Sequence, residues 1–111
     1  MRHNRELLKG TIRLLILRLL RKRTMYGYEL IQEADRLSGQ AFEFNEGTLY
    51  PALHQLERKG FLWSEWRIAE TGRKRKYYSL TSKGRRQAEH EQEGWKHFTG
   101  AINLILTSAQ R

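Results

Sequence analysis

The chain has 111 residues, 39% of them hydrophobic, and its 21 Lys and Arg outnumber 12 Asp and Glu for a formal charge of +9 at neutral pH. That size allows one domain with a modest core plus an appended helix, and the charge favours a polyanionic partner, nucleic acid ahead of an anionic membrane surface. With no cysteine, a disulfide framework, a thiolate metal site and a thiol nucleophile are excluded, which fits a reducing cytoplasm.

The opening MRHNRELLKG lacks the apolar core of a secretory signal, and no run approaches the length of a membrane span. Residues Leu7 to Leu20, LLKGTIRLLILRLL, read as a helix with Leu8, Ile12, Leu15, Ile16 and Leu19 on one face. Leu7, Leu14 and Leu17 widen the apolar surface beyond that stripe. Such a helix calls for burial on more than one side, against its own core and against a second subunit, or wholly within the core.

RKRT ends this helix and MYGYELIQEADRLSG begins another, with Tyr26, Leu30, Ala34 and Leu37 spaced for one face and Ser38-Gly39 as its stop. Ala41, Phe42 and Phe44 form a short buried connector. Asn45 to Gly60, NEGTLYPALHQLERKG, is a third helix with two distinct faces. Leu49, Ala52, Leu53 and Leu56 make the apolar stripe. Gly47, Thr48, Pro51, His54, Gln55 and Arg58 lie opposite, with Tyr50 on the boundary. Asn45 is suited to cap the start, and Gly60 closes the end after Arg58 and Lys59. A proline deep in a helix loses a hydrogen bond, and a cap nearer Gly47 or Thr48 would place Pro51 harmlessly in the first turn. The outward face has short side chains early and no carboxylate between Glu46 and Glu57, so it can approach another surface closely. The second and third helices stand in a helix-turn-helix relation, the third as recognition helix.

After Gly60 the period changes. FLWSEWRI and KYYSL suit strands, and AETGRKR between them carries Gly72 at a turn. This predicts a two-stranded hairpin whose tip bears Arg73, Lys74, Arg75 and Lys76, either a solvated loop or a wing that touches DNA phosphates or the minor groove. From Thr81, itself suited to cap, one long helix runs to the end. Gly84, Ala88, Glu91, Trp95, Phe98, Ile102 and Ile105 recur in steps of four and three, a heptad seam that is small and polar early and large and apolar late. It reads as a dimerisation arm, or as a helix packed back on its own domain.

Taken together, YGYEL at 26 to 30, GTLYPALHQLERKG at 47 to 60, SEWR at 64 to 67, GRKRKYYSLTSKG at 72 to 84 and Trp95 resemble the PadR family of transcriptional regulators across essentially the whole chain. The match is to the short variant with a single C-terminal helix. The resemblance implies a mainly α, α+β winged helix-turn-helix over residues 1–80 and a dimerisation helix over 81–111. It implies that the recognition helix enters the major groove and that the wing follows the neighbouring minor groove. The last helix would pair with the first to form the homodimer. Family members are mostly repressors released from DNA by a small, often aromatic ligand. In multidrug-sensing members similar to this chain, a tryptophan at the place of Trp95 lines a pocket at the dimer interface.

The candidate DNA-binding residues are therefore Tyr26, Thr48, Tyr50, Pro51, His54, Gln55, Arg58, Arg73, Lys74, Arg75 and Lys76. Hydroxyl, amide and imidazole groups are suited to base edges, Pro51 to a thymine methyl, and the cations to phosphates. Tyr50 is open to a second role at the edge of the core. The candidate dimer residues are Leu8, Ile12, Leu15, Trp95, Phe98, Ile102 and Ile105, and a two-fold dimer implies a palindromic operator with half-sites about one turn apart. Trp95 either stacks a planar ligand or fills the seam, whereas Trp63 and Trp66 read as core and packing residues. No catalytic residue, metal set or cofactor motif emerges: His3, His54, His90 and His97 are scattered, and there is no Gly-rich phosphate loop. The alternatives are a basic RNA-binding or protein-interaction module using the same fold and, with little support, a membrane-surface protein. The charges around the last helix are of both signs.

Overall fold

The structure, a computed structural model, describes residues 10–42 and 44–108. Among the described residues, four helices and three strands follow in the order α1 (Ile12–Leu20), β1 (Met25–Tyr26), α2 (Gly27–Leu37), α3 (Glu46–Arg58), β2 (Leu62–Ile68), β3 (Lys74–Leu80) and α4 (Ser82–Ser108). The strands form an antiparallel sheet in the order β1-β3-β2, with Met25 opposite Tyr78, Tyr26 opposite Tyr77 and Leu62 opposite Leu80.

The core is one cluster to which every element contributes. Ile16 and Leu17 of α1, Met25 of β1, Leu30 of α2, and Leu49, Leu53 and Leu56 of α3 are wholly buried, with Tyr78 of β3 beneath the sheet. Each such side chain contributes roughly 1.5–3 kcal/mol of burial free energy. The breadth of the apolar surface on α1 is used within the chain. Ile12, Ile16, Leu17, Leu19 and Leu20 are buried on it, and Leu15 packs partly against the same cluster. The described helix starts at Ile12, after a turn at Gly10 and Thr11. Leu7 and Leu8, expected on it, lie outside the described residues.

Two expectations for the second helix are corrected. Tyr26 does not sit on its apolar face; it ends β1 and occupies the N-cap of α2, with extended backbone angles. Leu37 is exposed, because the helix stops at Ser38 and the chain turns through Gly39 and Gln40, both at positive φ. The wing also differs from a two-stranded hairpin, since β1 adds a short third strand along β3.

Among the described residues, α4 is anchored at its beginning. The Thr81 hydroxyl donates to the Gly60 carbonyl at 2.7 Å and accepts from the Gly84 N–H at 2.9 Å. Gly84 and Ala88 are buried, and the Arg13 guanidinium meets Glu91 at 2.9 Å. Beyond that point Trp95, Phe98, Ile102, Leu104, Ile105 and Leu106 are exposed, and the molecule stretches to 61 × 32 × 21 Å.

Candidate DNA-binding surface

α3 is capped as its sequence dictates. The Asn45 carboxamide oxygen accepts from the Thr48 N–H at 3.0 Å and from the Thr48 hydroxyl at 3.1 Å. This places Pro51 at the sixth helical position rather than in the first turn, so the Gly47 carbonyl loses its helical donor. The lone carbonyl and the proline ring lie in the exposed part of the helix, where water or another partner can satisfy the oxygen.

The apolar stripe of α3 is buried as expected, and Gly47, Pro51, His54, Gln55 and Arg58 are exposed. Two candidate readers are not free. The Thr48 hydroxyl is committed to Asn45, and Tyr50 is half-buried against the core. A methyl group built at Gly27 would lie 2.4 Å from the Tyr50 hydroxyl oxygen, so the phenol rests directly on the backbone that starts α2. His54 stands beside it, with ring centroids 6.4 Å apart.

The turn of the hairpin is closed by the Ala69 N–H donating to the Arg73 carbonyl at 2.9 Å, with Gly72 at φ +84°. The basic run is therefore not a loop tip. Lys74, Arg75 and Lys76 are the first residues of β3, and strand alternation sends them to different faces. Lys76 turns toward α3, 3.9 Å from Glu57 and over the Tyr78 ring at 5.7 Å. Arg75 turns the other way and donates to the Tyr26 hydroxyl at 2.6 Å. Arg73 and Lys74 have no side-chain partner among the described residues. Tyr78, beneath Lys76, has its phenol pKa pushed up to about 12 by burial and then by the Glu57 carboxylate, so it stays neutral and uncharged under the cation.

Between α3, the start of α2 and the hairpin lies an open groove of about 600 Å³, whose walls include Tyr28, Tyr50, His54, Trp66, Lys74 and Lys76. Trp66 and Ile68 of β2 are exposed, which corrects the expectation that Trp66 is a core residue; Trp63 is exposed as well. Pairing across the ladder puts Trp66 opposite Lys76 and Ile68 opposite Lys74. The alternation of FLWSEWRI against KRKYYSL carried that signal, but the pairing partner had to be known to read it. Tyr28 and Gly27 also escaped notice as site residues. The first is merely an exposed helical tyrosine until the groove forms beside it, and the second matters only because Tyr50 docks there.

A second, shallower groove of about 530 Å³ runs along α1 and α4, lined by Arg13, Leu14, His90, Glu91, Trp95 and Phe98. The Trp95 and Phe98 rings are 6.1 Å apart and half-exposed. Ile12, by contrast, is covered by its own core. No group of three metal-ligating side chains and no helix long and apolar enough to cross a membrane occurs among the described residues.

A capped helix with an uncovered polar face, braced by a three-stranded sheet whose hairpin carries cations beside it, defines a winged helix-turn-helix DNA-binding regulator. The model described as "Transcriptional regulator PadR-like family" matches residues 16–90, and the chain belongs to that family. Over 81 residues it is 41% identical to Transcriptional regulator Rv3488 of Mycobacterium tuberculosis, covering 73% of this chain and 72% of the relative. A solved transcriptional regulator from Clostridium thermocellum is similar at a TM-score of 0.81 and 29% identity, covering 91% of this chain and 95% of that one. A solved PadR-like transcription factor from Bacteroides fragilis is similar at a TM-score of 0.74 and 33% identity, covering 90% and 94%. The chain is thus a transcriptional regulator of a DNA-binding family and not an enzyme.

Proposed function

We propose that the chain works in the cytoplasm as a homodimeric repressor that holds a palindromic operator and releases it when a small aromatic ligand binds. In this reading residues 1–80 contact the duplex and residues 81–111 join the two copies. Pro51, His54 and Gln55 meet base edges in the major groove, with Tyr50 seated on Gly27 beside them, while Arg58, Arg73 and Lys74 meet phosphates. Tyr26 and Thr48 support these elements from behind, and Lys76 adds positive potential along the groove.

One observation carries the dimer and, with it, the palindrome. α4 is buried over its first turns and then leaves Trp95, Phe98, Ile102 and Ile105 uncovered at heptad spacing. A contiguous apolar row of that kind is stable in water only when another surface covers it, and an identical row related by a two-fold axis is the economical cover. The groove beside Trp95 lies against that row, so a planar ligand bound there would meet both copies.

The test is a gel shift on the DNA immediately upstream of the chain's own gene, run over a salt series, with molecular mass measured in parallel. A tight, salt-sensitive shift that survives nonspecific competitor, from a species of twice the chain mass, is expected. A dimer that shifts no duplex at low salt, or a monomer that shifts it fully, would sink the corresponding half of the proposal.

A further inference from the structure

Arg75 sits within the basic run, half-buried at the edge of the groove, and unlike Lys74 its guanidinium is already engaged by the protein. Its Nη1 donates to the Tyr26 hydroxyl at 2.6 Å, and its guanidinium carbon lies 4.5 Å from the centre of the Tyr26 ring. Tyr26 in turn stands edge-on to Tyr77 at 5.3 Å, and Arg67 covers the Tyr77 ring at 4.6 Å. Arg67 and Arg75 oppose one another directly across the β2–β3 ladder. Like charges so placed repel, and here each cation has an aromatic face to itself. The result is a row on the sheet face away from Lys76, in which two cations flank two tyrosines.

The position of Tyr26 gives this row its meaning. Tyr26 is both the end of β1 and the N-cap of α2, and its backbone N–H donates to Glu29 at 3.2 Å. The next residue, Gly27, is the seat of Tyr50 from the recognition helix. The wing, the start of α2 and the first half of α3 therefore meet at two consecutive residues.

We propose that Arg75 is a positioning residue for DNA binding: latched onto Tyr26, it fixes the angle at which the wing leaves the helix-turn-helix, so that α3 and the hairpin meet one duplex in register. The planar guanidinium can stack and hydrogen-bond at once, which a lysine ammonium cannot. The proposal rests on the reading of α3 and the wing as the duplex-binding surface.

Salt dependence separates the two roles. Each phosphate neutralised by a cation contributes about 0.9 to the slope of log affinity against log salt, whereas a residue that only orients the wing contributes nothing to it. The full-length chain, its Lys74→Ala, Arg75→Lys, Arg75→Gln and Tyr26→Phe variants, and the Tyr26→Phe, Arg75→Lys double variant are titrated by fluorescence polarisation against a labelled duplex from upstream of its own gene. Lys74→Ala is expected to lower the slope by about 0.9. Arg75→Lys and Tyr26→Phe are each expected to weaken binding on the order of tenfold with the slope unchanged, and the double variant to be no weaker than either. Tyr26→Phe retains the ring and the backbone cap, so it reports on the latch even if the arginine variants lose stability. An Arg75→Lys protein that binds like wild type, or an Arg75→Gln protein whose slope falls as that of Lys74→Ala does, overturns the latch and leaves the DNA surface intact. A wild-type chain with no salt-sensitive duplex binding overturns the surface assignment itself, and the latch with it.

Discussion

Gly84 of α4 lies against the carbonyl of Phe61 so closely that a Cβ added there would fall 1.9 Å from the oxygen and 2.9 Å from the carbon. The contact is with backbone and cannot be relieved by a side-chain rotation. It fixes the depth at which α4 seats on the base of the hairpin, and with it the direction in which the exposed row leaves the domain. Gly84→Ala is expected to destabilise the fold by 1–3 kcal/mol or more, on the order of other overpacking substitutions. Gly94→Ala is the control. Nothing lies within 4 Å of its added Cβ, so it should be neutral or slightly stabilising through helix propensity. Thermal melting followed by circular dichroism checks both, and equal melting temperatures for the two would contradict the packing described.

A second glycine bears on the proposed DNA surface. A methyl at Gly27 would meet the Tyr50 hydroxyl at 2.4 Å and its ring carbon at 2.8 Å, both at the far end of a side chain that can turn away. Gly27→Ala should therefore leave the fold largely intact but push Tyr50 off its seat into the groove beside His54. The expected result is weaker operator binding with a small loss of thermal stability. In the Tyr50→Ala background the same substitution should have almost no further effect on affinity, because the displaced group is gone. Additive losses would show that Gly27 acts by another route.

The parts of the fold that sequence revealed are those whose cause is local. Leu49, Ala52, Leu53 and Leu56 at helical spacing are buried as a set, and Asn45 and Thr81 accept the hydrogen bonds that their positions at helix starts prescribe. What stayed hidden depends on residues far apart in the chain. β1 has only two residues, too few to show a period, and its partners Tyr77 and Tyr78 lie some fifty positions away. Arg73 to Lys76 read as four equivalent cations because nothing local says that Tyr26 and Glu57 will claim two of them. Trp66 looked like a core residue on hydrophobicity alone. Strand pairing instead aligns it with Lys76, on the open groove. At Pro51 two local signals competed: the cost of the proline favoured a later cap, and the Asn45 cap expected from its side chain prevailed, leaving the Gly47 carbonyl without its helical donor on the exposed face.

Acid should act on the junction between α1 and α2. Glu33 accepts from Arg36 at 2.6 Å and from Lys22 at 3.2 Å, and these partners, Arg36 foremost, hold its carboxyl down to about 2 from 4.5. A carboxyl whose pKa is lower folded than unfolded stabilises the fold above the unfolded value. That contribution is lost as pH falls from about 4.5 toward 2. Because the group lies at the surface, the effect is modest and shrinks in salt. Glu33→Gln should lower stability at neutral pH slightly and flatten the decline between those limits, measured by denaturant titration at stepped pH. An unchanged decline would assign the acid sensitivity elsewhere.

Trp95 offers a separate check on the ligand. Its ring and that of Phe98 flank the groove against Arg13 and His90, apart from the surface formed by α3 and the wing. Trp95→Ala should bind the operator with affinity within a few-fold of wild type yet fail to release it when an aromatic compound that releases the wild type is added. The comparison is a gel shift with and without the compound. Loss of DNA binding in the variant would mean that the tryptophan holds the seam together instead.

The last prediction concerns the row that α4 leaves uncovered. Ile105 is 71% exposed and Phe98 57%, positions at which a charge is harmless to a monomer and ruinous to an apolar interface. Ile105→Asp should therefore leave the melting of the winged domain nearly unchanged, since no core contact is lost. In the dimer two carboxylates would face apolar surface, and the species in solution should fall to the mass of a single chain. DNA binding should then fall by two or more orders of magnitude. A monomer engages one half-site and loses the gain in effective concentration that tethering two recognition helices provides. Sedimentation equilibrium and a gel shift on the same preparation give both readings. A monomer that still binds the full operator tightly would detach DNA recognition from dimerisation. A dimer that persists despite the charge would place the interface on another part of α4 or on α1.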